Sequence, residues 1–295
     1  LQTLLLSESP VKFFKFVRRF FAVAALLVAV LALWAFWLEP DSLRVTATDL
    51  PLRNAAAPLA GMRIAAISDL HAGAPFIDAA KLQRVVAMTN AQHPDLIVIA
   101  GDIFVQLVEG GSEIAPRVVA DILSGLQAPL GVYAVLGNHD EGDHAALYLS
   151  ELQRAGITPI DNDVRKIDVG TLHFWIAGFA DLETGGPDIG ATLAKITDDA
   201  PVIALTHNPD LFPSVPPRVN LLIAGHTHGG QVRLSFLSRK ILHETRGGDI
   251  QYLAGHYRAQ TDLFVTTGIG TTGWAVRFRV PPEIALLTLR QDSAK

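Results

Sequence analysis

The chain has no cysteine, which excludes disulfides, a thiol nucleophile, zinc-finger motifs and thiolate-held iron–sulfur clusters. Charged residues are sparse at 18% against 49% apolar, so a long disordered chain is excluded as well. Basic residues are not in excess. The 24 Lys and Arg face 29 Asp and Glu, a net charge of −5, and nothing in that balance draws the protein to a nucleic-acid backbone. There is no Gly-x-Ser-x-Gly elbow and no P-loop, so neither a serine hydrolase nor a P-loop nucleotide hydrolase is indicated. Internal repeats and low-complexity tracts are missing too. What remains is a chain of 295 residues, long enough for one large α/β domain, and ten histidines, several of them beside Asp, Asn and Gly.

A mean hydropathy of +0.31 is high for a soluble protein, and the excess is local. Residues 20–38 contain no charged or polar side chain and, as a helix, span roughly 28 Å, close to the hydrocarbon thickness of a bilayer. Trp34, Phe36 and Trp37 suit an interfacial belt at the downstream end. Lys12, Lys15, Arg18 and Arg19 precede the run, and Glu39 and Asp41 follow it. The positive-inside rule then keeps the N-terminus in the cytoplasm and turns the rest outward, as a single-pass protein of a bacterial inner membrane. Arg18-Arg19-Phe20-Phe21 loosely resembles a twin-arginine export signal, but the bulky residues after the apolar run favour a retained anchor over a cleaved leader. The expected organisation is a basic tail at 1–19, the anchor at 20–38, a linker at 39–61, a catalytic domain at 62–290 and a tail at 291–295.

Beyond the anchor, strands alternate with helices. Buried strands are expected at 63–68 (RIAAIS), 96–100 (LIVIA), 132–136 (VYAVL), 172–177, 202–206 and 221–224, with helices across 78–91, 115–125 and 143–155. The tail adds strands at 263–267 and 284–289. This is a mixed α/β fold with a sheet covered on both faces.

Polar clusters follow five of these runs directly. They are Asp69-Leu70-His71, Gly101-Asp102, Gly137-Asn138-His139-Asp140, His207-Asn208 and Gly225-His226-Thr227-His228-Gly229-Gly230-Gln231. Ligands in open α/β sheets bind beyond the carboxyl ends of the strands, so these clusters are expected to converge. Imidazole, carboxylate and amide oxygen form a donor set suited to Mn, Fe, Zn, Co or Ni. There are more of them than one tetrahedral ion needs, which points to two divalent ions bridged by a carboxylate, for which Asp102 is the natural candidate. Two such ions outweigh the liganding carboxylates, so the pocket is expected to attract an anion, phosphate above all, although the domain is acidic. Metal-activated hydroxide is then the expected nucleophile.

These motifs, in this order, resemble the calcineurin-like metallophosphoesterase family, and the resemblance runs from about 62 to 290. The 225–231 motif and the tail from Thr267-Gly268-Ile269-Gly270 through Pro281-Pro282-Glu283-Ile284 are similar to its small, membrane-associated bacterial branch. The resemblance implies a two-sheet sandwich flanked by helices. It also implies one metal held by Asp69, His71, Asp102 and His228 and a second by Asp102, Asn138, His207 and His226. His139 would stabilise phosphoryl oxygens or protonate the leaving group, with Asp140 orienting it. Gln231 and His256 are the expected substrate contacts. Some relatives cleave the pyrophosphate of UDP-2,3-diacylglucosamine in lipid A biosynthesis, which makes that compound the leading specific substrate, with another lipid-linked phosphate as the wider class. That nucleotide is cytoplasmic and conflicts with an outward domain, whereas an outward domain favours lipid phosphates or wall-linked phosphodiesters.

Taken singly, Asp69 is a cap or turn residue, Gly-Asp a common turn and Asn138-His139-Asp140 a surface turn. Their joint placement after apolar runs is what argues for a metal site. His93 and His173 are read as a loop and a strand residue, His144 and His243 as surface residues. The rival functions are a catalytically silent, membrane-tethered metal- or ligand-binding module and a metal-dependent amidohydrolase.

Overall fold

Runs such as LIVIA have no polar face, so they are stable only as strands covered on both sides. The computed structural model, which describes residues 10–53, 58–104, 110–234 and 251–292, covers them in this way. Helix α1 (Pro10–Leu33) passes through a π-helical turn at Trp34–Leu38 into the short α2 (Glu39–Asp41). Then come β1 (Arg44–Leu52), β2 (Arg63–Ile67), α3 (Ala79–Asn90), β3 (Leu96–Ala100), α4 (Pro116–Leu123), β4 (Val132–Val135), α5 (Ala145–Arg154) and β5 (Thr158–Pro159). The second half holds β6 (Asp163–Val169), β7 (Leu172–Gly178), α6 (Ile189–Ala194), β8 (Val202–Leu205) and β9 (Leu221–Ala224). It closes with β10 (Gly255–Arg258), β11 (Asp262–Val265) and β12 (Glu283–Gln291).

The strands form two six-stranded sheets, ordered β1-β12-β2-β3-β4-β5 and β10-β11-β9-β8-β7-β6. In the first, β2 through β5 are parallel, β12 is antiparallel to β2, and β1 is parallel to β12. In the second, β7, β8, β9 and β11 are parallel between antiparallel edges β6 and β10. Side chains alternate between faces, as strand geometry requires. Ile64, Ala66, Leu96 and Val98 meet Phe174, Ile176, Ile203 and Leu221 in the seam between the sheets. Ala65, Ile67, Ile97 and Ile99 pack outward against Leu82 and Val85 of α3, Val119 and Leu123 of α4 and Leu152 of α5. The expected two-sheet α/β sandwich is the fold.

The stretch expected as a linker at 39–61 contains a strand of the first sheet. β1 lies within it and pairs with β12 along its whole length, from Arg44↔Glu283 to Leu52↔Gln291. Thr46, Thr48, Asp49 and Pro51 make it read as a loop, yet a partly exposed edge strand tolerates all of them, proline included. The edge strands β6 and β10 escaped notice for the same polar character, and β12 runs to Gln291, past the expected boundary at 290.

α1 is long and apolar enough to cross a membrane; the candidate span is Phe13–Asp41, and its large apolar side chains stand exposed.

Phe174 is fully buried in the seam, and Leu172, two residues earlier, is 47% exposed. Phe174→Ala is expected to cost about 3–5 kcal/mol, whereas Leu172→Ala stays within about 0.5 kcal/mol. Urea unfolding of the solubilised full chain, read as a midpoint shift at constant slope, checks the pair.

Candidate metal centre

The carboxyl ends of β2, β3, β4, β8 and β9 lie at one end of the sandwich, and the loops leaving them have a backbone that side chains rarely adopt. Asp69, His71, Asp102, His226 and His228 all have positive φ, between 45° and 69°. A left-handed backbone costs a non-glycine residue about 1–2 kcal/mol, and it persists only where neighbouring contacts over-determine it. Here they do. Asp69 N–H donates to Gly101 O at 3.0 Å and His71 N–H to Asp102 O at 2.9 Å, which locks the first loop onto the second. His226 N–H donates to the Asp69 carboxylate at 3.0 Å, and His139 N–H to Asp102 Oδ1 at 3.0 Å. The loops meet so closely that a β-carbon on Gly137 would lie 2.2 Å from Asp102 Oδ1, and one on Gly225 1.8 Å from Ser68 Oγ. Only glycine fits.

The remaining side-chain atoms face one another. His71 Nε2 lies 3.3 Å from His228 Nε2 and 3.4 Å from Asp102 Oδ2, and His228 Nε2 lies 3.4 Å from Asp69 Oδ1. Ligand atoms of these four buried residues all fall within 4.8 Å of one another. Asp102 Oδ2 also lies 3.2 Å from His207 Nε2, which is 3.1 Å from Asn138 Oδ1. His226 Nδ1 completes this second group, 3.1 Å from Asn138 Oδ1 and 3.2 Å from His207 Nε2. Asp102 Oδ2 is common to both groups.

Hydrogen bonding shows what the pocket lacks in protein partners. His207 Nδ1 sits 2.8 Å from Ala100 O and His228 Nδ1 3.1 Å from Gly270 O, so each ring donates there and turns its Nε2 inward. Nε2 of His228 then confronts the Asp69 carboxylate at 3.4 Å, acceptor against acceptor in a dry pocket. Among the described residues His71 Nδ1 has no partner. Burial pushes His71 down to about 4 and His228 well below its usual value, so both are neutral at pH 7. Burial raises Asp69 to about 6 against the pull of His207. Burial also opposes charge on Asp102 and His207, but their mutual attraction wins, holding Asp102 low and raising His207 to about 10. A proton on His207 thus does part of a cation's work. Two carboxylates, an amide oxygen and mostly neutral imidazoles around a shared oxygen fit a pair of divalent cations.

Asp69, His71, His207 and His228 are at most 1% exposed, while Asn138, His139 and His226 are partly open, so the pocket opens over His139. The His139 ring stands edge-on to His71, centroids 5.1 Å apart.

Three expected roles change. Asp140 does not orient His139; its carboxylate accepts from the backbone N–H groups of Ile103, Phe104 and Gly137 at 2.8–3.0 Å and braces the Asp102 loop against the Asn138 loop. Burial raises it to about 7. Gln231 accepts from Thr272 N–H at 2.8 Å and donates to Trp274 O at 3.4 Å, so its amide holds the loop at 271–276 rather than a substrate. His256 sits on the edge strand β10 of the second sheet, opposite Phe264 and separated from β9 by β11, with its ring turned away from the metal end. Its Nε2 is 2.8 Å from Asp262, the residue of β11 that pairs with Leu221, three residues before the metal-end Ala224. His173 pairs with Asp198, His93 and His144 are exposed, and His243 lies outside the described residues. Sequence reasoning missed Glu183, 3.6 Å from His226 Nε2, because no motif surrounds it.

The pattern of the calcineurin-like phosphoesterase family matches residues 62–230, which contain every residue of both groups. This chain belongs to that family. It is 31% identical over 264 residues to the uncharacterized metallophosphoesterase YkuE of Bacillus subtilis, covering 88% of this chain and 90% of that one. A Danio rerio transmembrane protein with metallophosphoesterase domain is 30% identical over 294 residues, covering 91% of this chain and 62% of its own. The Escherichia coli phosphodiesterase YaeI is 29% identical over 241 residues, covering 78% and 83%. As a metallophosphoesterase the protein is a hydrolase of phosphoester bonds.

Because His207 of the metal-free fold titrates near 10, a metal must displace its proton at pH 7. Apparent metal affinity is therefore expected to rise about tenfold per pH unit from pH 7 to 9, with about one proton released. Asp69, near 6, adds a second proton only in more acid solution. Calorimetric titration in buffers of different ionisation enthalpy measures this, and a pH-independent affinity contradicts it. Gly137→Ala, which drives a methyl group into Asp102, is expected to leave the purified protein without its metal by elemental analysis.

Proposed function

We propose that this metallophosphoesterase is anchored in a membrane by α1 and hydrolyses a phosphoester or pyrophosphate bond of a lipid-linked substrate. The observation that carries the chemistry is the sharing of Asp102 Oδ2 between the two donor groups, 3.4 Å from His71 Nε2 and 3.2 Å from His207 Nε2. The membrane part is supported by the exposed apolar span of α1. Asp69, His71, Asp102 and His228 would hold one divalent ion, and Asp102, Asn138, His207 and His226 the other, with manganese the first metal to try. Such a pair supplies positive charge to the phosphoryl oxygens and acidifies water for in-line attack.

The chain's own groups do the rest. Ala100 O and Gly270 O fix the His207 and His228 rings, so the donors need no reorganisation. His139, tied through its N–H to Asp102, holds its imidazole at the mouth, where it can donate a proton to the departing oxygen. The basic residues before the apolar run support, by the positive-inside rule, a catalytic domain outside the cytoplasm, and that orientation favours a lipid phosphate over a cytoplasmic nucleotide-linked lipid such as UDP-2,3-diacylglucosamine.

The full chain in lipid nanodiscs with Mn²⁺ is expected to turn over bis-p-nitrophenyl phosphate and a phosphorylated lipid, and Asp102→Ala to reduce both to background. His139→Ala should lower kcat on an alkyl phosphodiester by about 10²–10⁴, and far less on the nitrophenyl ester, whose leaving group needs no proton. Absence of metal-dependent turnover on every phosphoester would refute the proposal. A carboxyl-terminal reporter active only in the cytoplasm tests the orientation separately.

A further inference from the structure

The apolar helix does not end in a free tether. In the π-helical turn at Trp34–Leu38, Glu39 N–H bonds Trp34 O, five residues back. The same pattern would give Ala35 O to residue 40, but that residue is proline and has no N–H. The orphaned carbonyl accepts from Arg277 N–H at 2.9 Å. The buried Glu39 carboxylate takes the Trp34 indole on one oxygen and Val280 N–H on the other, the latter at 2.6 Å. A carbonyl inside the apolar segment and a carboxylate at its end are thus both bound by residues 277–280.

Those residues belong to the metal end. The guanidinium of fully buried Arg277 donates to the carbonyls of Thr267, Gly268, Gly270 and Val280. Gly270 O is also the partner of His228 Nδ1. Between Gly270 and Arg277 the chain makes a loop whose Trp274 is 77% exposed. Three residues of chain reach at most about 11 Å, so Trp274 lies within that distance of the carbonyl-bound Arg277. The polar layer on each side of a bilayer is about 5–8 Å deep. Trp34 and Trp37, 42% and 63% exposed, occupy the neighbouring end of the helix.

We infer that the loop at 271–276 is a second membrane contact: Trp274 seats in the interfacial zone of the bilayer beside Trp34 and Trp37, so the metal end of the sandwich is held against the lipid surface. The partner is the bilayer itself, because the loop is continuous, through Arg277 and Ala35, with the segment that spans it. Indoles are favoured at that depth, with an apolar ring and one N–H to satisfy. The inference rests on the membrane reading of α1, and it makes the membrane-facing pocket select phosphoesters presented at the headgroup level.

The test uses the full chain in nanodiscs whose lipids carry nitroxide quenchers at shallow or deep acyl positions. Subtracting the emission of Trp274→Phe from that of the parent isolates Trp274. Shallow quenchers are expected to remove most of that signal and deep ones less. A Trp274 signal untouched by lipid quenchers and open to aqueous iodide overturns the inference. Trp274→Phe keeps the emission of Trp34, Trp37 and the buried Trp175, and the part of it that lipid quenchers remove reports whether α1 is inserted, so failure of the membrane reading is seen separately. In the same discs Trp274→Ala should lower turnover of the phosphorylated lipid about fivefold or more through lost presentation, with bis-p-nitrophenyl phosphate unchanged. Equal loss on both substrates overturns it too, and a parent inactive on both refutes the phosphoesterase reading while leaving the quenching result intact.

Discussion

Electron-pair donors from five strand ends are aimed at one another in a dry pocket, and the rest of the metal end is built to make that possible. Asp69, His71, Asp102, His226 and His228 each accept a left-handed backbone. At about 1–2 kcal/mol apiece this is roughly 5–10 kcal/mol, comparable to the whole net stability of a domain. Such strain is sustainable only because the strands beneath are buried on both faces and because a bound cation returns free energy to the fold. The glycines at 137 and 225 and the carboxylate of Asp140 follow from the same demand. The first two let loops approach to distances no side chain permits, and the third ties two loops together through three backbone N–H groups.

Strand pairing decides where the apolar helix sits. Because β12 is antiparallel to β2 and β1 is parallel to β12, Arg44 pairs with Glu283 at the end where β2 delivers Asp69. Whatever precedes β1 must therefore emerge at the metal end. With β1 antiparallel to β12 the helix would leave from the opposite end, about 30 Å away along a nine-residue strand. Arg44 N–H bonded to Pro282 O, and Lys81 and Arg84 reaching the Asp41 carbonyl, fasten the junction from two sides. Burial lowers Lys81 to about 8, which marks how closely α3 is pressed onto it.

What the sequence disclosed follows from this physics. Strands apolar on both faces announce themselves, so β2, β3, β4, β8 and β9 were legible, and each donor cluster was legible because it directly follows one of them. Edge strands must be partly polar to stay soluble, so β1, β6 and β10 read as loops. Adjacency in a motif does not give direction, which is why Asp140 was paired with His139, and Gln231 with a substrate. His256 sat in the right interval of the chain but points along an antiparallel edge strand toward Asp262. Glu39 carried no signal, because its meaning lies in a bond to Val280, 241 residues away.

Arg277 shows why the anchor and the metal end share one loop. A buried guanidinium costs several kcal/mol unless its donors are satisfied, and here Nε, Nη1 and Nη2 all donate to backbone carbonyls. An arginine offers five N–H groups in a rigid fork, enough to gather Thr267, Gly268, Gly270 and Val280 at once, which the flexible single ammonium of a lysine cannot reproduce. Although burial lowers it to about 10, it stays charged at neutral pH, beneath Asp69. Its backbone N–H meanwhile holds Ala35 O. One residue thus sets the loop that orients His228 and the loop's attachment to the apolar helix, so the position of the pocket relative to the helix is part of the fold rather than of a tether.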